Sequence, residues 1–289
     1  MYAFLSRSLL TLTSLTLALP LALPAQEKGA LETTSLLGRK LYAQTDDEAV
    51  TAAKAKVANG SSTAADYLAL SLAEAGRRQY REAVKTDTEA LARFPNSALL
   101  LLERGHRELG LRQFTDAQRD LQHAIQVEPG SLDSHYHLGL AHYFQGHFGE
   151  ASSHFLMARD LAKSDDSLID CTAWLYVSLR RAGKQQEAKT ALARITPEVH
   201  NTEAHLLFYL HLLHFYQGQM SESQVLPAKP AAGDVEAELS FNTIQYGVGN
   251  WHLYRGEKPL AETFFKEVVS GEAWNSWGFI GSEVELSRK

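Results

Sequence analysis

Cysteine is nearly absent from this chain, and no dense run of lysine or arginine occurs in it. The 289 residues contain a single cysteine, Cys171. One thiol can form no intrachain disulfide and cannot supply the thiolate cluster of a structural zinc or iron–sulfur site, so packing alone must stabilise the fold. The formal net charge is -6, from 28 basic and 34 acidic side chains. This balance argues against a protein that binds the nucleic-acid backbone.

Sequence motifs of catalysis are also missing. The chain has no G-x-S-x-G element and no glycine-rich loop of the kind that cradles phosphates. Cys171 lies in the apolar segment IDCTAWLYV, which predicts a buried thiol with a raised pKa instead of a reactive thiolate. We therefore expect no enzymatic activity and no cofactor.

Residues 1–25 have the pattern of an export signal. Arg7 is their only charged side chain, and a stretch of Leu, Ala, Thr and Ser follows it as far as Pro20. This stretch is too short and too polar for a comfortable membrane span, and the small residues Ala22 and Ala25 suit cleavage after Ala25. We expect an exported protein, periplasmic or extracellular, with no stable membrane anchor after cleavage. An uncleaved N-terminal anchor is the alternative.

An internal period of 34 residues is the strongest signal in the sequence. Small and aromatic residues recur at this spacing in three consecutive segments. The recurring sets are Ala83, Ala117 and Ala151; Ala90, Ala124 and Ala158; and Tyr80, Phe114 and Phe148. Gly105 with Gly139, and Pro95 with Pro129, repeat the spacing. Small residues allow two antiparallel helices to cross closely, and proline ends the second helix, so the unit is helix, turn, helix.

This unit resembles the tetratricopeptide repeat. The third segment carries the repeat pattern at Leu138, Gly139, Phe148, Ala151, Phe155 and Ala158, although Lys163 stands where the closing proline is expected. The resemblance implies an all-α fold, a right-handed superhelical solenoid of helical hairpins. It also implies a concave face, lined by first-helix residues, that binds an extended peptide or a helix of a protein partner.

The repeat register predicts five to six hairpins with loosening periods. Turn glycines continue at Gly146, Gly183, Gly218 and Gly256, and 227–236 reads as a loop. The predicted units are a helical cap or degenerate repeat at 26–63; clear repeats at 64–97, 98–131 and 132–165; degenerate repeats at 166–201, 202–238 and 239–271; and a capping helix at 272–287.

The order of these elements also resembles the NlpI-like group of periplasmic adaptor lipoproteins. The resemblance rests on Trp174-Leu175-Tyr176, an imperfect hairpin over 205–225, and scattered positions from Leu239 to the Trp-rich end. It implies a dimeric adaptor that brings murein hydrolases and a periplasmic protease together. That group is anchored through a lipid-modified cysteine just after its signal, and this chain has no cysteine there.

Repeat register places a set of mostly aromatic side chains on the concave face. We predict that they form a partner-binding groove, in which apolar side chains anchor a partner and Tyr hydroxyls and Asn250 direct it. The set is Tyr136, Leu140, Tyr143, Phe144, Phe208, Leu212, Phe215, Tyr216, Tyr246, Asn250 and Tyr254, preceded by Leu102, His106 and Leu109. The alternative is that these residues pack against a neighbouring hairpin or a dimer partner, because aromatic stripes at helical spacing are more often core.

The sequence is also compatible with other classes of function. His135, His137 and His142 crowd one helix and His211 and His214 lie three apart on another, yet no HExxH motif or matched carboxylate accompanies them, so we expect no metal site. Aromatic platforms also stack on sugars, which leaves an enzyme acting on murein or another glycan as an alternative.

A self-associating structural protein of the envelope is a third class. It would use a C-terminal surface of Trp274, Trp277 and Phe279.

Overall fold

The computed structural model describes residues 28–58, 62–203, 206–231 and 233–288. The predicted signal peptide, 1–25, lies outside these residues. The described chain begins with an antiparallel β-hairpin made of β1 (Lys28–Thr34) and β2 (Lys40–Gln44). The turn between them contains Gly38 at a φ of 85°, a left-handed conformation that glycine adopts without steric cost.

The β-hairpin corrects the prediction that 26–63 forms a helical cap or a degenerate repeat. Leu41 and Ala43 of β2 are buried, whereas their neighbours Lys40 and Tyr42 are not. Burial at every second residue is the signature of a strand packed on one side. The helical prediction was wrong here because it rested on Leu and Ala content and overlooked this alternation. Among the described residues of this segment, only Glu48–Ala58 are helical.

The rest of the described chain is built of helices, which are joined by short turns within the clear repeats and by longer connections after α9 and α11. In chain order they are α1 (Glu48–Ala58), α2 (Ala64–Gly76), α3 (Tyr80–Arg93), α4 (Ala98–Gly110), α5 (Phe114–Val127), α6 (Leu132–Gln145), α7 (Phe148–Leu161), α8 (Asp165–Arg181), α9 (Gln185–Leu192), α10 (Leu207–Tyr216), α11 (Glu222–Val225), α12 (Val235–Leu253), α13 (Lys258–Val269) and α14 (Trp277–Ser287). The predicted clear repeats each contain one helical hairpin: α2–α3, α4–α5 and α6–α7.

The recurring small residues lie where the two helices of a hairpin cross. All six recurring alanines have no exposed surface. A Cβ atom added to Gly105 would come within 2.8 Å of the Leu121 side chain, and one added to Gly139 within 2.9 Å of the Phe155 ring. Both distances are shorter than a carbon–carbon contact allows, so the close crossing depends on these residues being small.

Each first helix of the clear repeats starts at a side-chain cap. Thr63, Ser97 and Ser131 lie 34 residues apart, and their hydroxyl oxygens accept hydrogen bonds from the backbone N–H groups near the starts of α2, α4 and α6. Ser164 does the same for α8. These caps satisfy amides that the helices leave unpaired, so the sequence period also sets where each hairpin begins.

The hairpins become irregular after α8. The second helices α9 and α11 have 8 and 4 residues, against 14 for α7. The chain leaves α11 just before Pro227, and α12 begins at Val235, two residues inside the predicted loop 227–236. The predicted turn glycines Gly146, Gly183, Gly218 and Gly256 all have positive φ.

The observed architecture confirms the predicted fold class, a helical-hairpin solenoid, with the β-hairpin as an addition. Among the described helices, none has both the length and the apolar character to cross a membrane.

Candidate functional site

Most of the eleven side chains predicted to line a partner-binding groove are buried. We call this set the inner face. Its buried members are Tyr136, Leu140, Tyr143, Phe144, Leu212, Phe215, Tyr246 and Asn250, and its half-buried members are Phe208, Tyr216 and Tyr254. Leu102 and Leu109 are also buried, and His106 is half-buried. The prediction of an open groove is therefore wrong for this structure, because the chain's own side chains and helices cover these residues.

The last helix, α14, is one of the elements that cover the inner face, and we call it the closing helix. It packs against α12 and α13 and also contacts α6. The Trp277 ring lies 6.2 Å from the Phe144 ring and 5.2 Å from the His106 ring, measured between centroids. The predicted capping helix thus covers residues inside the solenoid as well as packing on the last hairpin.

Two arginine–glutamate pairs attach the closing helix to distant repeats. Arg112, in the turn after α4, contacts Glu283 at 2.8 Å, and their side chains are only 3% and 1% exposed. Arg181, the last residue of α8, contacts Glu285 at 2.8 Å. Burial raises the pKa of Glu283, although the charge of Arg112 opposes the rise. Because both partners are desolvated, each charge depends on the other for compensation.

A network of hydrogen bonds connects Tyr143 and Tyr246 of the inner face to Arg181, which also contacts the closing helix. The Tyr246 hydroxyl donates to the Tyr143 hydroxyl at 3.1 Å, and the Tyr143 hydroxyl donates to Oδ1 of Asn250 at 3.2 Å. Arg181 donates to the same Asn250 oxygen at 3.1 Å. Burial raises the pKa of Tyr143, so the hydroxyl is protonated at neutral pH and serves as a donor.

The remaining members of the inner face pack in two neighbouring apolar clusters, and Tyr216 contacts both of them. Tyr216 stacks on Tyr176 of α8 at 4.5 Å, and Tyr254 lies under the Arg180 guanidinium at 4.2 Å. Phe208, Leu212 and Phe215 pack with Val225 and Ile244 in another apolar cluster. The ten apolar and aromatic members of the inner face therefore belong to two connected packing clusters, not to one open surface.

The two ends of the described chain meet beside the closing helix. The Trp274 indole N–H donates to the Tyr42 carbonyl of β2 at 3.2 Å, and its ring packs edge-on against Tyr80 at 5.3 Å. Trp274 and Phe279 are buried, and Trp277 is half-buried. The hypothesis of a self-association surface at Trp274, Trp277 and Phe279 is thus contradicted, because these side chains pack within their own chain.

Sequence reasoning missed the charged residues that hold the closing helix. Arg112 and Arg181 lie at hairpin turns, where charged side chains are common and carry no signal. The signal that was present is the pair Glu283 and Glu285, the two charged side chains of a mostly apolar terminal helix. Carboxylates at such positions indicate buried cationic partners.

The single thiol of the chain is shielded from solvent. Cys171 is buried, and burial raises the pKa of its thiol, as the sequence predicted. Within the described ranges, no three or more His, Cys, Asp or Glu side chains are gathered as the ligands of one metal ion.

An open apolar groove lies on the outer surface, between α7 and α9. It has a volume of about 300 Å³ and is lined by Leu156 of α7, Leu175 and Leu179 of α8, and Ala191 of α9, among others. Leu156 is 41% exposed, and its neighbour Met157 is 52% exposed.

Repeat register shows that this apolar surface is particular to the third repeat. One period earlier, the positions of Leu156 and Met157 are occupied by Gln122 and His123, and two periods earlier by Thr88 and Glu89. Outward positions that are polar in two repeats and apolar in the third are a signal of contact with another molecule.

Comparisons with known proteins bear on the fold. No protein-family model matches the chain, and no curated protein matches it either. Among solved structures, a tetratricopeptide repeat protein from Parabacteroides merdae aligns with 80% of this chain and 90% of its own, at 16% identity and a TM-score of 0.50.

Two further structures are more distant. PilF of Pseudomonas aeruginosa aligns with 73% of this chain and 94% of its own at 14% identity, with a TM-score of 0.47. The MamA protein aligns with 72% of this chain and 90% of its own at 15% identity, with a TM-score of 0.43. Together with the 34-residue hairpins, the first of these similarities shows that the chain has the fold of tetratricopeptide-repeat proteins.

Proposed function

We propose that this protein is an exported, non-enzymatic scaffold that binds segments of protein partners. The observation that carries the proposal is the exposed pair Leu156 and Met157 beside an open groove in a helical-hairpin solenoid. Repeat solenoids present extended surfaces to which helices and peptides bind. Catalysis is not part of the proposal, because the aromatic platform that favoured a glycan-acting enzyme is buried.

The outer groove suits an amphipathic helix of the partner. Its floor is apolar at Leu175 and Leu179, and Lys184 and Glu187 lie on its α9 side. The helix α9 is six residues shorter than α7, and the groove opens between these two helices. A partner helix lying there would bury the exposed leucine and methionine as another second helix of the solenoid does.

A pull-down experiment tests partner binding, and the substitutions in its variant are copied from the preceding repeat of the same chain. Residues 26–289 serve as bait for an envelope extract, beside a Leu156→Gln/Met157→His variant that restores the residues of the preceding repeat. We expect partners that the parent retains and the variant loses, identified by mass spectrometry. Leu99→Gln, a change at another exposed leucine (48%), is the matched control. Equal retention by the variant, or loss with the control, would contradict the outer-groove assignment.

We also propose that the protein is exported and acts as an adaptor in the cell envelope. Both parts of this proposal rest on the signal-like residues 1–25 and on the resemblance to the NlpI-like group, whose partners are murein hydrolases and a periplasmic protease. Cell fractionation and N-terminal sequencing test export: we expect a soluble periplasmic or extracellular chain starting near Gln26. A cytoplasmic, full-length chain would contradict it. Light scattering of the purified chain decides between a monomer and the homodimer that the resemblance implies.

A further inference from the structure

The segment 270–276 joins α13 to the closing helix, and we call it the strap. Its residues form neither helix nor strand, so their backbone carbonyl and N–H groups need partners from other parts of the chain. Oε2 of Glu238, on α12, accepts from the Glu272 and Ala273 N–H groups at 2.9 and 2.7 Å. The last hairpin itself therefore pairs these two N–H groups of the strap.

Two arginines from turns of the first two clear repeats donate to carbonyls of the strap. Nη1 of Arg78, in the α2–α3 turn, donates to the Glu272 carbonyl at 3.1 Å. Nη2 of Arg112, in the α4–α5 turn, donates to the Trp274 carbonyl at 3.0 Å, and Arg112 also contacts Glu283. The two arginines lie 34 residues apart in sequence, so equivalent positions of consecutive repeats hold the same segment.

The β-hairpin supplies a third arginine to the same region. Nη1 of Arg39, just before β2, donates to the Gly271 carbonyl at 2.6 Å and to the Val269 carbonyl at 3.1 Å. Nη2 of Arg39 pairs with the Glu272 carboxylate at 3.0 Å. Guanidinium groups from three turns in the N-terminal half of the chain therefore bind the strap and the residue just before it.

Arg78 and Arg112 have a backbone conformation that glycine normally provides. Their φ angles are 55° and 66°, and they are the only non-glycine residues with positive φ among those that the structure describes. The left-handed residues in the equivalent turns of the later hairpins are Gly146, Gly183, Gly218 and Gly256. A Cβ atom strains this conformation, and glycine avoids the strain. Arginine is thus found at the two turns that bind the strap, where the contacts of its side chain offset the strain.

Apolar packing accompanies these hydrogen bonds. The Trp274 ring of the strap packs on Tyr80, and both belong to a buried cluster with Leu41, Leu111 and Phe279. Apolar contact is non-directional, whereas a guanidinium–carbonyl hydrogen bond requires a defined distance and angle. The apolar cluster therefore favours contact between the two ends of the chain, and the arginines determine where the strap lies.

The position of the strap controls the cover of the inner face. The closing helix begins at Trp277, directly after the strap. The Trp277 ring covers Phe144 of the inner face and lies beside His106. Movement of the strap away from the first two repeats would therefore draw the first turn of the closing helix away from Phe144.

We propose that Arg39, Arg78 and Arg112 form a strained latch, which holds the strap closed and whose opening uncovers the inner face at Phe144. In the open state, water replaces the guanidinium groups at the carbonyls of the strap, and the helical hairpins stay folded. Such local opening requires less free energy than global unfolding. The latch controls access to the inner face and is independent of the outer groove.

Hydrogen–deuterium exchange followed by mass spectrometry tests the latch in the full chain. We expect peptides from 270–287 to exchange at least about tenfold faster in Arg78→Gly than in the parent, because a hydrogen bond to a charged group is lost. Peptides from α2 and α3 should keep their rates, since glycine fits the turn. Arg77→Ala is the matched control, because Arg77 donates to the Thr45 carbonyl instead of the strap. Equal rates in Arg78→Gly and the parent, or the same acceleration in the control, would overturn the proposal.

Two further variants complete the test. Arg39→Gln removes contacts with the strap without altering a turn of the solenoid, so it keeps the test valid if Arg78→Gly does not fold. We expect it to accelerate exchange in 270–287 as well. Arg78→Ala loses the same guanidinium as Arg78→Gly but keeps a Cβ atom, so its melting temperature should be at least about 2 °C lower. Unchanged exchange in Arg39→Gln, or equal melting temperatures for the two Arg78 variants, would overturn the strained latch.

Discussion

The first three repeats and the closing helix stabilise buried charged groups over very different sequence distances. In the α2–α3 hairpin, the Thr86 hydroxyl donates to Glu74, twelve residues away, and the Ser71 hydroxyl donates to Asp87, sixteen residues away. In the closing helix, Glu283 contacts Arg112, which is 171 residues away. A periodic sequence can specify contacts of the first kind by itself. The second kind depends on how all intervening hairpins stack.

The two regions also differ in how their carboxyl groups are compensated. Burial raises the pKa of Glu74 and of Asp87 to about 7, and hydroxyl groups are their hydrogen-bond partners. Glu283 and Glu285 instead contact guanidinium groups. The comparison teaches that the α2–α3 hairpin supplies partners to its own buried carboxyl groups, whereas the closing helix is held by charges that only the finished solenoid brings together.

Removing a guanidinium from the closing helix should produce the largest effect. Arg112→Ala leaves the Glu283 carboxylate buried without its cation, which costs about 3–5 kcal/mol in the free energy of unfolding. Denaturant unfolding measures the loss. Arg119→Ala, at an exposed pair with Asp116, is the control and should cost less than about 1 kcal/mol. Similar losses for both variants would show that the closing helix is not held through Arg112.

A substitution where α6 and α7 cross tests the contacts that form within one repeat. Gly139→Ala places a methyl group against the Phe155 ring and should lower the free energy of unfolding by about 1–3 kcal/mol. Gly149→Ala, on the next helix, meets no atom within 4 Å and should stabilise by about 0.4–1 kcal/mol. Thermal unfolding of the two variants gives the comparison. If Gly139→Ala were as stable as the parent, the crossing would not depend on a small residue.

A third expected effect is a change in the pH dependence of stability. The folded pKa of Glu74 is about 7, above its unfolded value of about 4.5. As pH rises from 4.5 to 7, the unfolded chain loses a proton that the folded chain retains, so the free energy of unfolding falls. Glu74→Gln removes this contribution while keeping an oxygen for Thr86.

Urea unfolding at pH 5 and pH 7.5 measures the change. The difference in stability between these pH values should shift by roughly 2 kcal/mol in favour of the higher pH for Glu74→Gln. Glu89→Gln, an exposed position in the same hairpin, should leave the difference unaltered. An unaltered difference for Glu74→Gln as well would mean that Glu74 is ionised in the folded chain.

Recurring residues made the hairpins predictable, because the reasons for their recurrence are local. Ala151 is small because α6 and α7 cross there, and Gly146 has positive φ because the turn between them requires it. The β-hairpin could have been found from the alternation of Leu41 and Ala43, but the high leucine and alanine content obscured it. The eleven inner-face residues were placed on the correct helices, yet their exposure was not predictable from register.

The sequence by itself determined the helical hairpins, their caps, their turns and the buried thiol, because each of these depends on residues within about one repeat. Only the tertiary structure decided that the inner face is covered and that the chain's ends meet. The reason is physical: a repeat sets the geometry between neighbours, whereas closure depends on the accumulated rotation of many hairpins. That rotation brings Arg112 to Glu283, and no spacing in the sequence encodes it.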